Sequence, residues 1–218
     1  GHPGFKERAV DEGRRFLIMF LYLWALFALF ALHERMVLRE LDAYVAPGSE
    51  TLVVGENGRR FIAPASVDAL AELLLAEPTA TIVAGCTDVG LWVTKQMRRL
   101  DPVVYIGRVR ELQQIATTKD SIEIGAGVSH ADAMTMLAEH YPDMGEMWRR
   151  FASVQIRNAG TVGGNVANGS PIGDGSPALI AAGATLHLRR GDERRSLPIE
   201  DFFVAYGKQD RRPGEFVE

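Results

Sequence analysis

Five glycines fall within the eighteen residues Arg157–Asp174, R-N-A-G-T-V-G-G-N-V-A-N-G-S-P-I-G-D: Gly160, Gly163, Gly164, Gly169 and Gly173. Glycine allows φ > 0 and lets a ligand approach the main chain with no Cβ in the way. The polar side chains among and beside them are small, Asn158, Thr161, Asn165, Asn168 and Ser170, and the rest of the intervening residues are apolar. The chemistry this suits is close backbone contact with a flat or polyanionic ligand, with N–H groups pointing at it. A glycine-rich turn between two strands has the same composition. A second glycine turn, Gly85-Cys86-Thr87-Asp88-Val89-Gly90, follows a short apolar strand and precedes a helix. That order aims amides and the positive helix end at a phosphate. The turn lacks the third glycine of G-x-G-x-x-G and the lysine of a Walker A loop, and a tight βα turn is its alternative reading.

Other chemistry finds little support. No Ser–His–Asp spacing, H-E-x-x-H motif or paired carboxylate site is present, and no residue is assigned as general acid or base. The single cysteine, Cys86, excludes an intramolecular disulfide and any cysteine-based zinc or iron–sulfur site within this chain. It reads as a small buried side chain and not as a nucleophile. The histidines are scattered without ligand spacing, and His130 is expected to be a solvated first-turn residue of a helix capped by S-x-x-D, Ser129 to Asp132. A net charge of −4 argues against a nucleic-acid partner.

Behind the two loops, the 218 residues offer enough chain for a sizeable core. The first 50 differ in texture from the rest. Phe16–Leu32 is seventeen residues without a charge, the lower limit for a membrane-spanning helix, and a buried core helix is the other reading. A membrane anchor is the expectation, with the N-terminus in the cytoplasm from the excess of basic residues before the run. Glu34–Tyr44 reads as helical, and Ala46-Pro47-Gly48-Ser49-Glu50 as the boundary of the main domain. Beyond it the pattern predicts strands at Thr51–Val54, Arg59–Ile62, Thr81–Ala84, Val103–Ile106, Leu112–Ile115 and Ser121–Ile124. Helices are predicted at Val67–Ala76 with Ser66 as cap, at Leu91–Arg99, from Ser129 to about Glu139, at Gly145–Phe151 and at Pro177–Ala182. Thr185–Arg189 and Arg195–Pro198 form a predicted hairpin.

Ile82–Gly90 (I-V-A-G-C-T-D-V-G) together with Phe151–Asp174 resembles the FAD-binding domain of the xanthine dehydrogenase family of molybdenum hydroxylases, and most closely the bacterial small subunit. Phe202–Glu218 agrees, so the similarity spans about Arg59 to Glu218. The resemblance implies an α+β, two-part FAD-binding fold. A small parallel α/β unit (51–116) is followed by a mixed unit with an antiparallel sheet (117–210), and 211–218 would begin a further C-terminal flavoprotein domain. It further implies that Ile82, Val83, Ala84, Gly85, Cys86, Thr87, Asp88 and Val89 form the loop around the FAD pyrophosphate. Thr161, Val162, Gly163, Gly164 and Asn165 would form the second wall, Phe151 would pack on the cofactor, and Asp174 matches an FAD-contacting acid.

The activity implied is that of an oxidoreductase. Electrons would pass from a molybdenum cofactor in a large subunit, through an iron–sulfur domain, to FAD and on to NAD+. The resemblance implies a cytoplasmic location, to which the apolar run adds the expectation of membrane anchoring. The family's iron–sulfur cysteines have no counterpart here, and an apolar segment stands in their place. A carbon monoxide dehydrogenase medium subunit and a membrane-tethered scaffold without flavin are the alternatives.

Overall fold

The computed structural model describes residues 50–218 apart from Tyr206. The apolar run 16–32 and the helix predicted at 34–44 lie outside the described residues. Among the described residues no helix is long and apolar enough to cross a membrane.

The chain folds as mixed α+β. Strands β1 (Leu52–Glu56) and β2 (Arg59–Ala63) form an antiparallel hairpin around Asn57-Gly58. Both turn residues have positive φ, 52° and 72°, which matches the right-handed twist of the strands. Helix α1 (Val67–Ala76) starts where the Ser66 hydroxyl accepts the Ala69 amide at 3.1 Å, and buries Val67, Leu70, Ala71 and Leu74. Strand β3 (Thr81–Val83), helix α2 (Val89–Thr94) and strand β4 (Val103–Tyr105) complete the first layer. The sheet order is β1-β2-β4-β3, with β4 parallel to both neighbours. The unit expected to be parallel thus carries an antiparallel hairpin at its edge. Helix α2 stops well short of the predicted Arg99, and Arg98 folds back over the Trp92 ring at 4.4 Å.

The strand predicted at Leu112–Ile115 is instead a 3-10 turn, Arg110–Gln113, with Leu112 buried, and the strand β5 (Ile115–Thr117) begins after it. β5 pairs antiparallel with β6 (Ile122–Ile124). Helix α3 (His130–His140) is capped as predicted: the Ser129 hydroxyl accepts the Asp132 amide at 3.1 Å and donates to the Asp132 carboxylate at 2.6 Å. Helix α4 (Gly145–Arg150) follows.

The glycine-rich stretch departs most from expectation. More than half of it is helical: it holds the end of α5 (Val154–Ala159) and all of α6 (Val162–Asn168), and it stops where α7 (Gly175–Ala181) begins. Gly and Asn are poor helix formers. The Thr161 hydroxyl compensates by accepting the Gly164 amide at 3.0 Å, and Gly169 ends the helix at φ 58°. The antiparallel sheet β11-β7-β8 then forms from β7 (Thr185–Arg190), β8 (Glu193–Pro198) and β11 (Phe216–Val217), and β9 (Phe203–Ala205) pairs with β10 (Lys208–Gln209). Residues 211–218, expected to open a further domain, therefore pack into this unit: Phe216 and Val217 pair with β7, and Phe216 is buried.

Three cores result. The first joins α1, β2 and β4 with Phe216. A second gathers Val128, Ala133, Leu137, Trp148, Phe151, Val162 and Ala178. The third holds Val166, Leu186, Leu188, Ile199 and Phe202.

Candidate cofactor cleft

The loop after β3 turns sharply. Cys86 is exposed and takes φ 60°, a left-handed conformation rare for a side-chain-bearing residue, while Asp88 is right-handed at φ −97°, ψ −48°. The amides of Gly85, Cys86, Thr87 and Asp88 find no protein acceptor among the described residues. Gly85 and Thr87 are half-buried and Cys86 and Asp88 exposed, and all four line the cleft described below, so their free amides are donors an anion there could use.

The second stretch behaves differently. The Val162 amide donates to the Val128 carbonyl at 2.9 Å, that of Gly163 to Ala126 at 3.1 Å, and that of Asn165 to Thr161 at 3.0 Å. With Gly164 bonded to the Thr161 hydroxyl, the amides that open α6 are all turned into the protein. The expectation that this backbone points its N–H groups at a ligand is overturned here. Its glycines serve close packing: a Cβ on Gly163 would overlap Ala126, and one on Gly164 would lie 2.7 Å from the Thr161 hydroxyl oxygen. The same holds in the first loop, where a Cβ on Gly85 would overlap the Ala159 carbonyl oxygen. The two glycine stretches thus touch each other.

Between them opens a cleft of about 700 Å³, within the usual range for a cofactor site. Ile82, Ala84, Gly85, Cys86, Thr87, Asp88 and Val89 line one side; Phe151, Thr161, Gly163, Gly164 and Asn165 line the other. Three residues singled out in the sequence lie elsewhere. Val83 and Val162 are buried in the protein behind the two walls, and Asp174 is exposed at the start of α7, outside the lining. The Asn165 side-chain oxygen is buried with no hydrogen-bond partner.

The sequence reading missed His130. It is buried, not solvated, and lines the cleft with its ring 4.6 Å from that of Phe151. Its amide donates to the Gly160 carbonyl at 3.0 Å, part of the short pairing of 126–130 with 160–163 that sets it beside Thr161. Only that distant pairing buries it, so no local signal was available. Phe151 is fixed in turn by Arg157, whose guanidinium donates to the Phe151 and Ala152 carbonyls at 2.7 and 2.9 Å. Burial pushes the His130 imidazole down to about 4 from the usual 6.5. The folded state then binds fewer protons than the unfolded one between these values, so stability is full above pH 6.5 and falls toward pH 4. The parent is expected to lose up to about 3 kcal/mol more than His130→Gln across this window. Urea unfolding at several pH values measures it; parallel pH profiles for the two proteins would mean the imidazole is not held neutral.

A glycine-tight cleft with unpaired amides on one wall and an aromatic ring on the other defines a domain that binds a phosphate-bearing cofactor. The chain belongs to the family described as FAD binding domain in molybdopterin dehydrogenase, whose profile matches residues 56–218. FAD is the cofactor of that family. A nicotinate hydroxylase of Emericella nidulans is 30% identical over 184 residues, covering 77% of this chain and 14% of its own length. A xanthine dehydrogenase of Drosophila subobscura is 33% identical over 160 residues, 68% of this chain and 12% of the relative. Among solved structures, carbon monoxide dehydrogenase from Hydrogenophaga pseudoflava superposes with a TM-score of 0.67 at 27% identity, covering 72% of this chain and 56% of that one. Quinoline 2-oxidoreductase from Pseudomonas putida gives 0.67 at 25% identity, covering 71% and 55%. The chain therefore spans about a seventh or less of the curated relatives named and just over half of the solved chains.

The residues present fit FAD. A diphosphate has the four loop amides to accept from, the cofactor body has Phe151 and Ile82, and its hydroxyl and amide groups can meet the Thr161 and Asn165 side chains, the latter with an unsatisfied oxygen.

Proposed function

We propose that this chain is the flavin-binding part of a molybdenum hydroxylase, an oxidoreductase that carries electrons from a molybdenum cofactor and iron–sulfur centres, held in other domains or subunits, through FAD to NAD+. The observation that carries the reading is the run of unpaired amides at Gly85–Asp88 in a cleft walled by both glycine stretches. In this reading those amides hold the diphosphate, and Ile82, Ala84 and Val89 flank it. The Asp88 carboxylate accepts from cofactor hydroxyls, and Phe151 packs on the cofactor with His130 behind it. Thr161, Gly163, Gly164 and Asn165 form the opposite wall; Val83 backs the first wall and Val162 the second. Asp174 enters by resemblance alone. The bound flavin supplies the exchange of electrons between one- and two-electron partners; the protein binds it, orients it and excludes water. No side chain is given a proton to move.

The likeness to carbon monoxide dehydrogenase structures favours a second reading, in which the chain is the flavin part of an enzyme of that kind. Recovery of a molybdenum-containing large subunit with the chain, and the substrate that subunit oxidises, separates the two. The shared core of both is tested first. Protein incubated with FAD is expected to take up a flavin chromophore and to release FAD, not FMN, on denaturation. No uptake of flavin at micromolar concentration, or release of FMN, would overturn the reading.

A further inference from the structure

Among the described residues that line the cleft, Asp88 is the only carboxylate and Arg211 the only lysine or arginine. A dinucleotide brings a diphosphate with up to two negative charges. The loop amides offer it partial charges, but the local field is not cationic. Helix α2 behind them is a single short turn and a half, and Asp88 stands at its start. His130 is neutral at pH 7, since burial holds its imidazole down to about 4. Among the described lining residues, a full positive charge comes from Arg211 alone.

Arg211 is set up to supply it. It is exposed, and its side chain makes no ion pair, hydrogen bond or ring contact among the described residues. Its neighbours are all engaged. The Asp210 carboxylate accepts from Arg195 at 2.7 Å, and the Asp210 amide donates to the Phe202 carbonyl at 2.8 Å. On the other side the Arg212 amide donates to the Glu215 carboxylate at 2.9 Å, and the Glu215 amide donates back to the Arg212 carbonyl at 3.0 Å. Glu215 is itself held by Arg195 at 2.7 and 2.8 Å. The two carboxylates closest in sequence to Arg211 are therefore both engaged by another arginine, Glu215 through both oxygens and Asp210 through one. What remains is a free guanidinium on a backbone pinned at both flanks, facing a cleft whose other walls suit an anionic cofactor. A guanidinium pairs with phosphate oxygens through parallel N–H bonds.

We propose that Arg211 is the counter-charge to the cofactor's diphosphate, a binding residue that favours the phosphorylated dinucleotide over the bare flavin. The proposal rests on the FAD reading above and adds a residue and a selectivity to it.

The test titrates the full chain with FAD and with riboflavin, at low and at high salt, for the parent, Arg211→Gln and Arg211→Lys. Arg211→Gln is expected to weaken FAD binding by about tenfold to a hundredfold and to leave riboflavin binding as in the parent. The salt dependence of FAD binding should become shallower in that variant, because one released counter-charge is lost. Arg211→Lys should recover part of the affinity, as a point charge without the fork. Unchanged FAD affinity in Arg211→Gln, with the parent's salt dependence intact, makes Arg211 a solvated surface residue. An equal loss for FAD and riboflavin assigns it to shaping the cleft. Either result overturns the proposal. A parent that takes up no FAD removes the cofactor reading itself, a failure that differs from both.

Discussion

Gly85→Ala is expected to weaken FAD binding at least tenfold and to lower stability by about 1–3 kcal/mol. The added Cβ would overlap the Ala159 carbonyl oxygen and lie 2.9 Å from the Gly160 Cα. Both neighbours are main chain, so no side-chain rotation relieves the clash. The loop must move away from the end of α5, and it carries the unpaired amides with it. Hydrogen bonds weaken steeply with distance and angle, so a shift of about an ångström removes much of what those amides offer a diphosphate. Gly183→Ala is the control. Gly183 also has a special backbone, φ 69°, but nothing lies near its missing Cβ. It should lose about 1–2 kcal/mol from backbone strain and none of its FAD affinity. Urea unfolding and a flavin fluorescence titration read the two quantities separately. FAD affinity in Gly85→Ala equal to the parent's would show that the two loops need not approach so closely.

Arg195→Met is expected to cost about 3–5 kcal/mol at neutral pH, because it takes the guanidinium partner from a buried carboxylate and leaves it only the Arg212 amide. The Arg195 guanidinium donates to Glu215 at 2.7 and 2.8 Å, to the Asp210 carboxylate at 2.7 Å and to the Asp210 carbonyl at 2.5 Å. Glu215 is only 3% exposed. Burial alone would push its carboxyl up; the Arg195 hydrogen bonds and the Arg212 amide outweigh that and hold it below the ordinary carboxylate range. The sign of the pH effect follows. In the parent the stabilisation is present above the ordinary carboxylate value and is lost as acid brings the pH through the lowered one. In the variant only the Arg212 amide and charge still oppose burial, so the Glu215 pKa rises and protonation relieves the penalty. The gap between parent and variant should therefore narrow toward about pH 4. Adding Glu215→Gln to the variant should restore most of the loss. A cost under about 1 kcal/mol at neutral pH would place this network with surface ion pairs.

How much of this was legible depends on how local its cause is. Helix α1 was readable in full because Ser66 caps it and Leu70 and Leu74 fall on one face, all within one segment. The Ser129–Asp132 cap and the β7–β8 hairpin, which turns at Gly191 with φ 56°, were readable for the same reason. The first loop announced itself as strand, glycine, helix. The second did not: its glycines suggested exposed backbone, while Thr161 and the pairing with 126–130 wind it into α6 and turn its amides inward. The burial of His130 and the freedom of Arg211 are products of contacts between segments far apart in the chain. Composition could not reveal that Arg195 would occupy both nearby carboxylates.

The cleft opens where three separate hydrophobic cores come together. Leu70, Ile106 and Phe216 reach it from the first, Phe151 from the second, and Val217 packs against the third. Modules with distinct cores open along their seams at lower free energy than they unfold. A cofactor lodged at this junction acts as mortar: its affinity is added to the resistance of each seam, by about 2.7 kcal/mol at a hundredfold excess over Kd. On the flavin reading, release needs only the parting of one such joint and not unfolding, so a substitution that loosens a seam is expected to shorten the cofactor's residence.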